Sequence, residues 1–290
     1  MTRETIIVMK GNFGFGDRLQ VLSYCLSYCK LLNASLCVDW RDAVWDHDFF
    51  DNFVIVGIPT VTIEYVAQKI ELGAQVNPSI WTADMMRSPP TIITSNPYHN
   101  LIYDTPIVND KCVILVFNCT GLRRYDAEHL VNHVRFTRNI SELIRDRLPK
   151  IPYSIVHIRG TDRLHSRINP FSILEEQLHT TNTLENIFVI SDTESLLNHW
   201  IQKYPNCIPL NDACSATRRL SIASKYHRKG LHLHSPNELN THNISKRELN
   251  MECLIDFVAI SSANTAIGNP KSCFFTMARL LHGSIDKLLN

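Results

Sequence analysis

Charge of one sign is what this 290-residue sequence most plainly lacks: 29 lysines and arginines stand against 28 aspartates and glutamates, for a net charge of +1. Bulk electrostatics therefore excludes nothing but favours no nucleic-acid or anionic-membrane partner, and any positive potential has to be local. No apolar run approaches the length of a membrane span, so no membrane span is expected. The opening residues lack the layout of a signal peptide, because Arg3 and Glu4 lead directly into a strand-like run over 5–9. Cys-x-x-Cys pairs are missing too. The nine cysteines are scattered, mostly inside apolar segments, and no Cys/His cluster has zinc spacing. Buried thiols in a reducing compartment fit that pattern, and a cytoplasmic location is expected.

What is present is an ordinary globular composition, 44% hydrophobic and 20% charged, over a length that suffices for two compact domains. The amino half opens with a strand over 5–9, a Gly-rich turn over 11–16 and a helix over 17–33. Leu19, Leu22, Leu26, Cys29 and Leu32 recur at helical spacing there, with Asp17 as the expected N-cap. A strand over 35–40 completes a right-handed, parallel β-α-β unit. Further strands are predicted over 60–65, 91–95 and 112–118, with irregular, aromatic-rich chain between them. The carboxyl half alternates more clearly. Strands over 155–159, 186–191, 207–210 and 265–268 are separated by helical patterns over 171–179, 193–204, 216–226 and 246–261, and a last helix covers 271–282. Two prolines within 147–152 mark the expected boundary between an amino-terminal domain, 1–150, and a carboxyl-terminal domain, 151–290. The fold class expected is α/β, with two Rossmann-like domains whose parallel sheets face a cleft.

Four segments carry chemistry. The β-branched run 154–158 ends in His157-x-Arg159-x-x-Asp162, at a strand's carboxyl end, where open α/β sheets bind ligands. Arg159 offers a planar charged fork suited to phosphate, Asp162 can hold that fork, and His157 can hydrogen-bond a sugar hydroxyl or phosphate oxygen. Gly11-x-x-Gly14-x-Gly16 joins a strand to a helix, so its backbone N–H groups can face an anion; its spacing is neither the dinucleotide fingerprint nor a P-loop. Ser191-Asp192 ends another strand, and Ser272-Cys273 opens a helix after Gly268-Asn269-Pro270, a ready diphosphate seat. For each the plainer alternative stands: an ion pair that pins a loop, a tight turn, or a helix cap. Asp46-His47-Asp48 matches an Asp-x-Asp metal motif, but it lies in an acidic, aromatic loop and no metal is assigned. His232 and His234 alternate on a short strand without a third ligand.

As a set, these segments resemble the fucosyltransferase superfamily with the His-x-Arg-x-x-Asp motif, which covers α-1,2-, α-1,6- and protein O-fucosyltransferases. The segment 14–19 resembles that group's amino-terminal turn. Residues 156–163, 188–192 with 203–205, and 254–261 with 272–274 resemble its three later motifs, in order, over nearly the whole chain. The resemblance implies a GT-B fold and an inverting transfer of fucose from GDP-fucose to a glycan, with no metal and no cofactor beyond the nucleotide sugar. It implies further that Arg159 grips the β-phosphate, His157 touches ribose or phosphate, and Asp256 accepts hydrogen bonds from guanine. Asp192 would lie beside the donor, and Ser272 with Cys273, Gly14 and Gly16 would complete the donor site. Two positions depart from the α-1,6 pattern. The second Arg of those enzymes is here Gly160, and a carboxylate ten residues after the motif His is here Arg167. The general base is therefore sought in the amino half, at Asp17 or Asp39. Another GDP- or UDP-linked sugar as donor, and a binding protein without turnover, remain the alternatives. Trp40, Trp45, Phe49, Phe50, Trp81 and Tyr98 are aromatics that stack on a sugar or fill the core.

Overall fold

The computed structural model describes residues 3–11, 14–41, 45, 48–89, 112–117, 127–160, 171–181, 186–212, 214–223, 234 and 236–290. The chain divides into two compact units, Met1–Ile140 with Asp286–Asn290, and Ser141–Ile285. Among the described residues no helix is long and apolar enough to cross a membrane.

The first unit contains β1 (Glu4–Lys10), α1 (Phe15–Leu32), β2 (Ser35–Asp39), a 3-10 turn (Phe49–Asp51) and β3 (Phe53–Ile55). It continues through α2 (Ile63–Glu71), β4 (Gln75–Asn77), α3 (Ala83–Arg87), β5 (Cys112–Phe117), α4 (Glu128–His133) and β6 (Val134–Phe136). Four strands form a parallel sheet in the order β2-β1-β5-β4, and β3 pairs with β6 antiparallel. Ile6, Ile7, Val8 and Met9 of β1 are all fully buried, as expected of a parallel strand covered on both faces.

Two sequence expectations change here. The first helix begins two residues before Asp17: its N-cap is Gly14 in extended conformation, and Asp17 sits in the first turn, where its charge complements the helix dipole. The strand expected over 60–65 does not form. Thr60 makes one isolated bridge to Leu36, while the Thr62 hydroxyl accepts the Tyr65 N–H at 3.2 Å and starts α2. The β-branched run Thr60-Val61-Thr62-Ile63 imitates a strand, but Val66 and Ala67 turn to one side and pack on Ile6, Val8 and Ile114. That packing, together with the cap, outweighs local β-propensity. The strand expected over 91–95 lies outside the described residues.

A helix, α5 (Arg138–Arg147), spans the division between the units and precedes the Pro-containing stretch. There follow β7 (Ser154–Ile158), α6 (Ser172–Thr180), β8 (Ile187–Ser191), α7 (Glu194–Lys203), β9 (Ile208–Pro209) and α8 (Ala216–Ala223). The chain ends with α9 (Pro236–Asn240), α10 (Lys246–Ser262), β10 (Thr265–Gly268), α11 (Cys273–Leu280) and α12 (Ile285–Leu289). The sheet order is β10-β7-β8-β9, all parallel. Val156, Ile158, Val189 and Ile267 pack with Leu174, Leu197 and Trp200 on one face. In register, His157 lies beside both Gly268 and Ile190, and Ile158 beside Ser191, so the carboxyl ends of three strands finish level. The α/β class with parallel sheets is as expected.

Candidate functional site

The level strand ends gather the expected residues of the second unit on one edge. Arg159 leaves β7 and its Nη1 donates to Ser272 Oγ at 3.4 Å. Ser272 is the N-cap of α11, and its hydroxyl also accepts the Phe275 N–H at 3.4 Å. The Ser272 side chain thus links the guanidinium to a helix N-terminus. Cys273, the first residue of α11, is buried beside it. Asp192 pins the chain after Arg159: its Oδ1 accepts the Gly160 N–H at 2.7 Å and the Thr193 hydroxyl at 3.2 Å. Asp162, Arg163 and Arg167 lie outside the described residues, so the expected Arg159–Asp162 contact is not part of this description.

Gly160 directly follows Arg159 at the end of β7. A Cβ at this position would collide with Leu196 Cδ1 and lie 2.6 Å from Thr193 Oγ1, both on or next to α7. A larger residue here therefore requires Leu196 and Thr193 to shift. Gly268 is equally constrained, because a Cβ there would run into the Phe275 ring. Gln177 of α6 clamps Gly268 through both of its amide atoms, each at 3.1 Å. Neither Gln177 nor its role is signalled by any motif.

The imidazole of His157 lies between aromatic rings. It is stacked on Phe275 at 5.9 Å with a 6° interplanar angle, and Phe274 is 5.6 Å away. Burial, with Arg159 as a second cause, pushes its pKa down to about 3, so the ring is neutral at ordinary pH. Its Nδ1 is buried and has no hydrogen-bond partner among the described residues. A buried unpaired ring nitrogen costs stability unless something pairs it.

Asp256, on α10, has the opposite shift. Burial raises its pKa to about 7, the Asn211 hydrogen bond opposes this, and Glu252 adds to it. Asn211 Nδ2 donates to Asp256 Oδ1 at 3.0 Å from just beyond β9. Cys253, one turn before Asp256, has its thiol pKa raised mainly by burial, with Asp256 adding and Arg159 opposing. Arg159, Cys253 and Asp256 are thus electrostatic neighbours. Sequence reasoning missed Asn211; its polar position directly after a short strand was the available signal. Glu252 is spent elsewhere, accepting the Ala216 and Thr217 N–H groups at 2.6 and 2.8 Å at the start of α8.

The expected residues of the first unit sit at the corresponding edge of its own sheet. Asp39 ends β2, and its Oδ2 accepts Lys10 Nζ at 2.7 Å, the two side chains being 1% and 0% exposed. The same ammonium donates to the carbonyls of Met86 at 2.8 Å and Ser88 at 2.7 Å. Arg41 Nε meets the other oxygen of Asp39 at 3.1 Å. Arg18, fully buried, donates to the Trp40 carbonyl at 2.8 Å and lies over the Trp40 ring. Gly11 is enclosed by this pair, since a Cβ there would come within 2.6 Å of Trp40 Cδ1. Gly14 and Gly16 open α1, and Asp17 Oδ2 curls back over Gly14, 3.6 Å from where a Cβ would stand. Trp40, Trp45, Phe49 and Trp81 are buried in the core, whereas Phe50 is 41% exposed. Tyr98 lies outside the described residues. Among the described residues no group of three His, Cys, Asp or Glu side chains is placed to hold a metal ion.

No family model matches the sequence. No curated protein matches it either. Solved structures do. The fucosyltransferase NodZ from Bradyrhizobium is 16% identical, covering 97% of this chain and 93% of that one, with a TM-score of 0.60. A crystal of NodZ α-1,6-fucosyltransferase soaked with GDP-fucose is 15% identical over 95% and 92% of the two chains, with a TM-score of 0.58. POFUT1 in its apo form is 12% identical over 98% and 96%, with a TM-score of 0.50. This chain has the fold of these proteins along nearly its whole length.

Proposed function

We propose that this protein is a metal-independent, inverting glycosyltransferase that moves L-fucose from GDP-fucose to a glycan acceptor in the cytoplasm. The observation that carries this reading is the convergence of Arg159 on Ser272 at the start of α11, 3.4 Å apart. A diphosphate laid there meets a guanidinium fork and the backbone N–H groups of a helix's first turn. Negative charge grows on the diphosphate as the bond to the sugar breaks. Fixed donors aimed at that charge supply the stabilisation that a divalent cation supplies in other transferases. Solved structures of NodZ soaked with GDP-fucose and co-crystallised with GDP support this choice of donor.

The remaining roles follow the chemistry of each group. Ionised Asp256, steadied by Asn211, pairs with the N1–H and exocyclic amine of guanine, and uracil offers no such pair of donors. Neutral His157 gives its unpaired Nδ1 to a donor hydroxyl while the Phe275 stack fixes the ring. Inversion requires a base to take the proton of the acceptor hydroxyl as it attacks. Asp39 has one oxygen engaged by an ammonium and the other by a guanidinium. That leaves Asp17, half-buried at the start of α1, as the assigned base. The free thiols at the eight described cysteines fit a reducing compartment.

Calorimetry with GDP and UDP in EDTA, followed by an assay for GDP release from GDP-fucose, tests the reading. GDP binding without metal and slow donor hydrolysis are expected. Tight UDP binding with none for GDP would overturn the donor assignment, and GDP binding without release from any GDP-sugar would make the protein a binder without turnover.

A further inference from the structure

At the carboxyl end of β2, wholly inside the first unit, lies a pocket with a cavity volume of ≈ 360 Å³. That is near the lower end of the roughly 300–1,000 Å³ of small-molecule sites, room for a sugar ring or two but not for a folded partner. Its wall combines the half-exposed Phe50 ring and Val61 with Arg41, Asp48, Thr60 and Thr62. We propose that this pocket binds a neutral pyranose, with the ring face on Phe50 and neighbouring hydroxyls on Arg41 and Asp48.

The chemistry favours a sugar over other small molecules. The Asp39 charge at the pocket floor is neutralised by Lys10, leaving one guanidinium and the Asp48 carboxylate, so the lining has no excess of either sign. A phosphate or other anion finds the Asp48 charge against it, and a cation finds Arg41. Arg41 is oriented by Asp39, which accepts both its backbone N–H at 3.3 Å and its Nε at 3.1 Å. Its Nη groups have no hydrogen-bond partner among the described residues and are presented, already fixed, to the pocket. Planar guanidinium and carboxylate groups each engage two adjacent hydroxyls, which pyranoses carry and most metabolites of this size do not. Phe50 is supported edge-on by buried Phe49 at 5.0 Å, so its free face is held in place. The apolar C–H face of a sugar covers such a ring while the hydroxyl edge meets the polar side. On the glycosyl-transfer reading above, on which this identification rests, the bound pyranose belongs to the acceptor.

Saturation-transfer NMR on the full chain, with methyl β-glucopyranoside, methyl β-galactopyranoside and methyl α-mannopyranoside as probes, tests the pocket. GDP calorimetry on the same samples tests the donor site. At least one glycoside is expected to receive saturation, chiefly on the ring protons of one face. Phe50→Ala should weaken that binding roughly tenfold. Asp48→Asn should weaken it while preserving the local turn, because Asn caps as well as Asp. Neither variant should change GDP affinity. Absence of signal from all three glycosides, or a signal unaltered by Phe50→Ala, overturns the pocket even where GDP binds normally. A Phe50-dependent sugar signal without GDP binding would keep the pocket and overturn the transferase reading.

Discussion

At the carboxyl edge of the first sheet, the ammonium of Lys10 finds Asp39 and two carbonyls, Arg18 finds the Trp40 carbonyl, and the aromatic rings close over them. At the same edge of the second sheet, His157 carries a buried nitrogen without a partner among the described residues, and Asp256 is held at a pKa of about 7. Both edges follow the same strand–turn–helix plan. In the first, charge is consumed in holding the fold; in the second, polar groups are left in states that cost stability. Perturbed, underpaired groups at a strand edge mark a place kept ready for a ligand. A segment that resembles a motif need not act through every residue: Arg18 lies in the segment 14–19 and works as a strut.

The contrast can be broken first at Lys10. Lys10→Met leaves Asp39 buried beside only Arg41, and a loss of about 3–5 kcal/mol is expected, a large part of the whole stability of a domain. Urea unfolding reads it directly; an unchanged midpoint would mean that the first edge is not a strut. Next comes Arg159→Lys, which keeps the charge but removes the fork. It should unfold at the wild-type urea concentration and lose on the order of a hundredfold in turnover of GDP-fucose. Arg163→Lys should be far milder. If Arg159→Lys instead unfolds the protein, the second edge is structural as well.

Asp256 sharpens the comparison through pH. Its folded pKa is raised above the unfolded value, so the folded state holds more protons between about pH 4 and pH 7. Its contribution to stability is therefore greatest in acid and lost as pH rises towards about 7. GDP binding needs the ionised form and moves the other way, weakening by up to about tenfold per pH unit below pH 7. Asp256→Asn should raise Tm at pH 8 while weakening GDP binding, a pair of results that a purely structural carboxylate cannot give. An effect of similar size and opposite sense belongs to His157, whose pKa of about 3 lies below that of an unfolded histidine. Its contribution is complete above about pH 6.5 and disappears as pH falls towards 3. His157→Phe should flatten that part of the acid-unfolding curve, measured by Tm from pH 7 to 4.

Most strands were legible because parallel sheets demand continuous apolar runs, and β1, β2, β5, β7, β8 and β10 are such runs. Helix α2 was misread because its capping segment is β-branched, and its buried face shows only once the sheet is in place. The residues gathered at the second sheet's edge were legible as strand ends and helix starts. The Lys10 node was not, since two of its acceptors are backbone carbonyls 76 and 78 residues away, which leave no mark in side-chain identity. Asn211 and Gln177 escaped for a related reason: one amide acts on a carboxylate 45 residues on and the other on a glycine 91 residues on, and no local pattern encodes either distance.

The tight seat of Gly160 also couples that position to its neighbours. A Cβ here would press on Leu196 Cδ1 and Thr193 Oγ1, so a side chain gained at this position must displace both groups. Leu196 is half-buried against the cluster of Val156, Val189 and Trp200, so its adjustment is felt in the packing beneath the strand ends. A substitution at 160 is thus a change in packing before it is a change in chemistry.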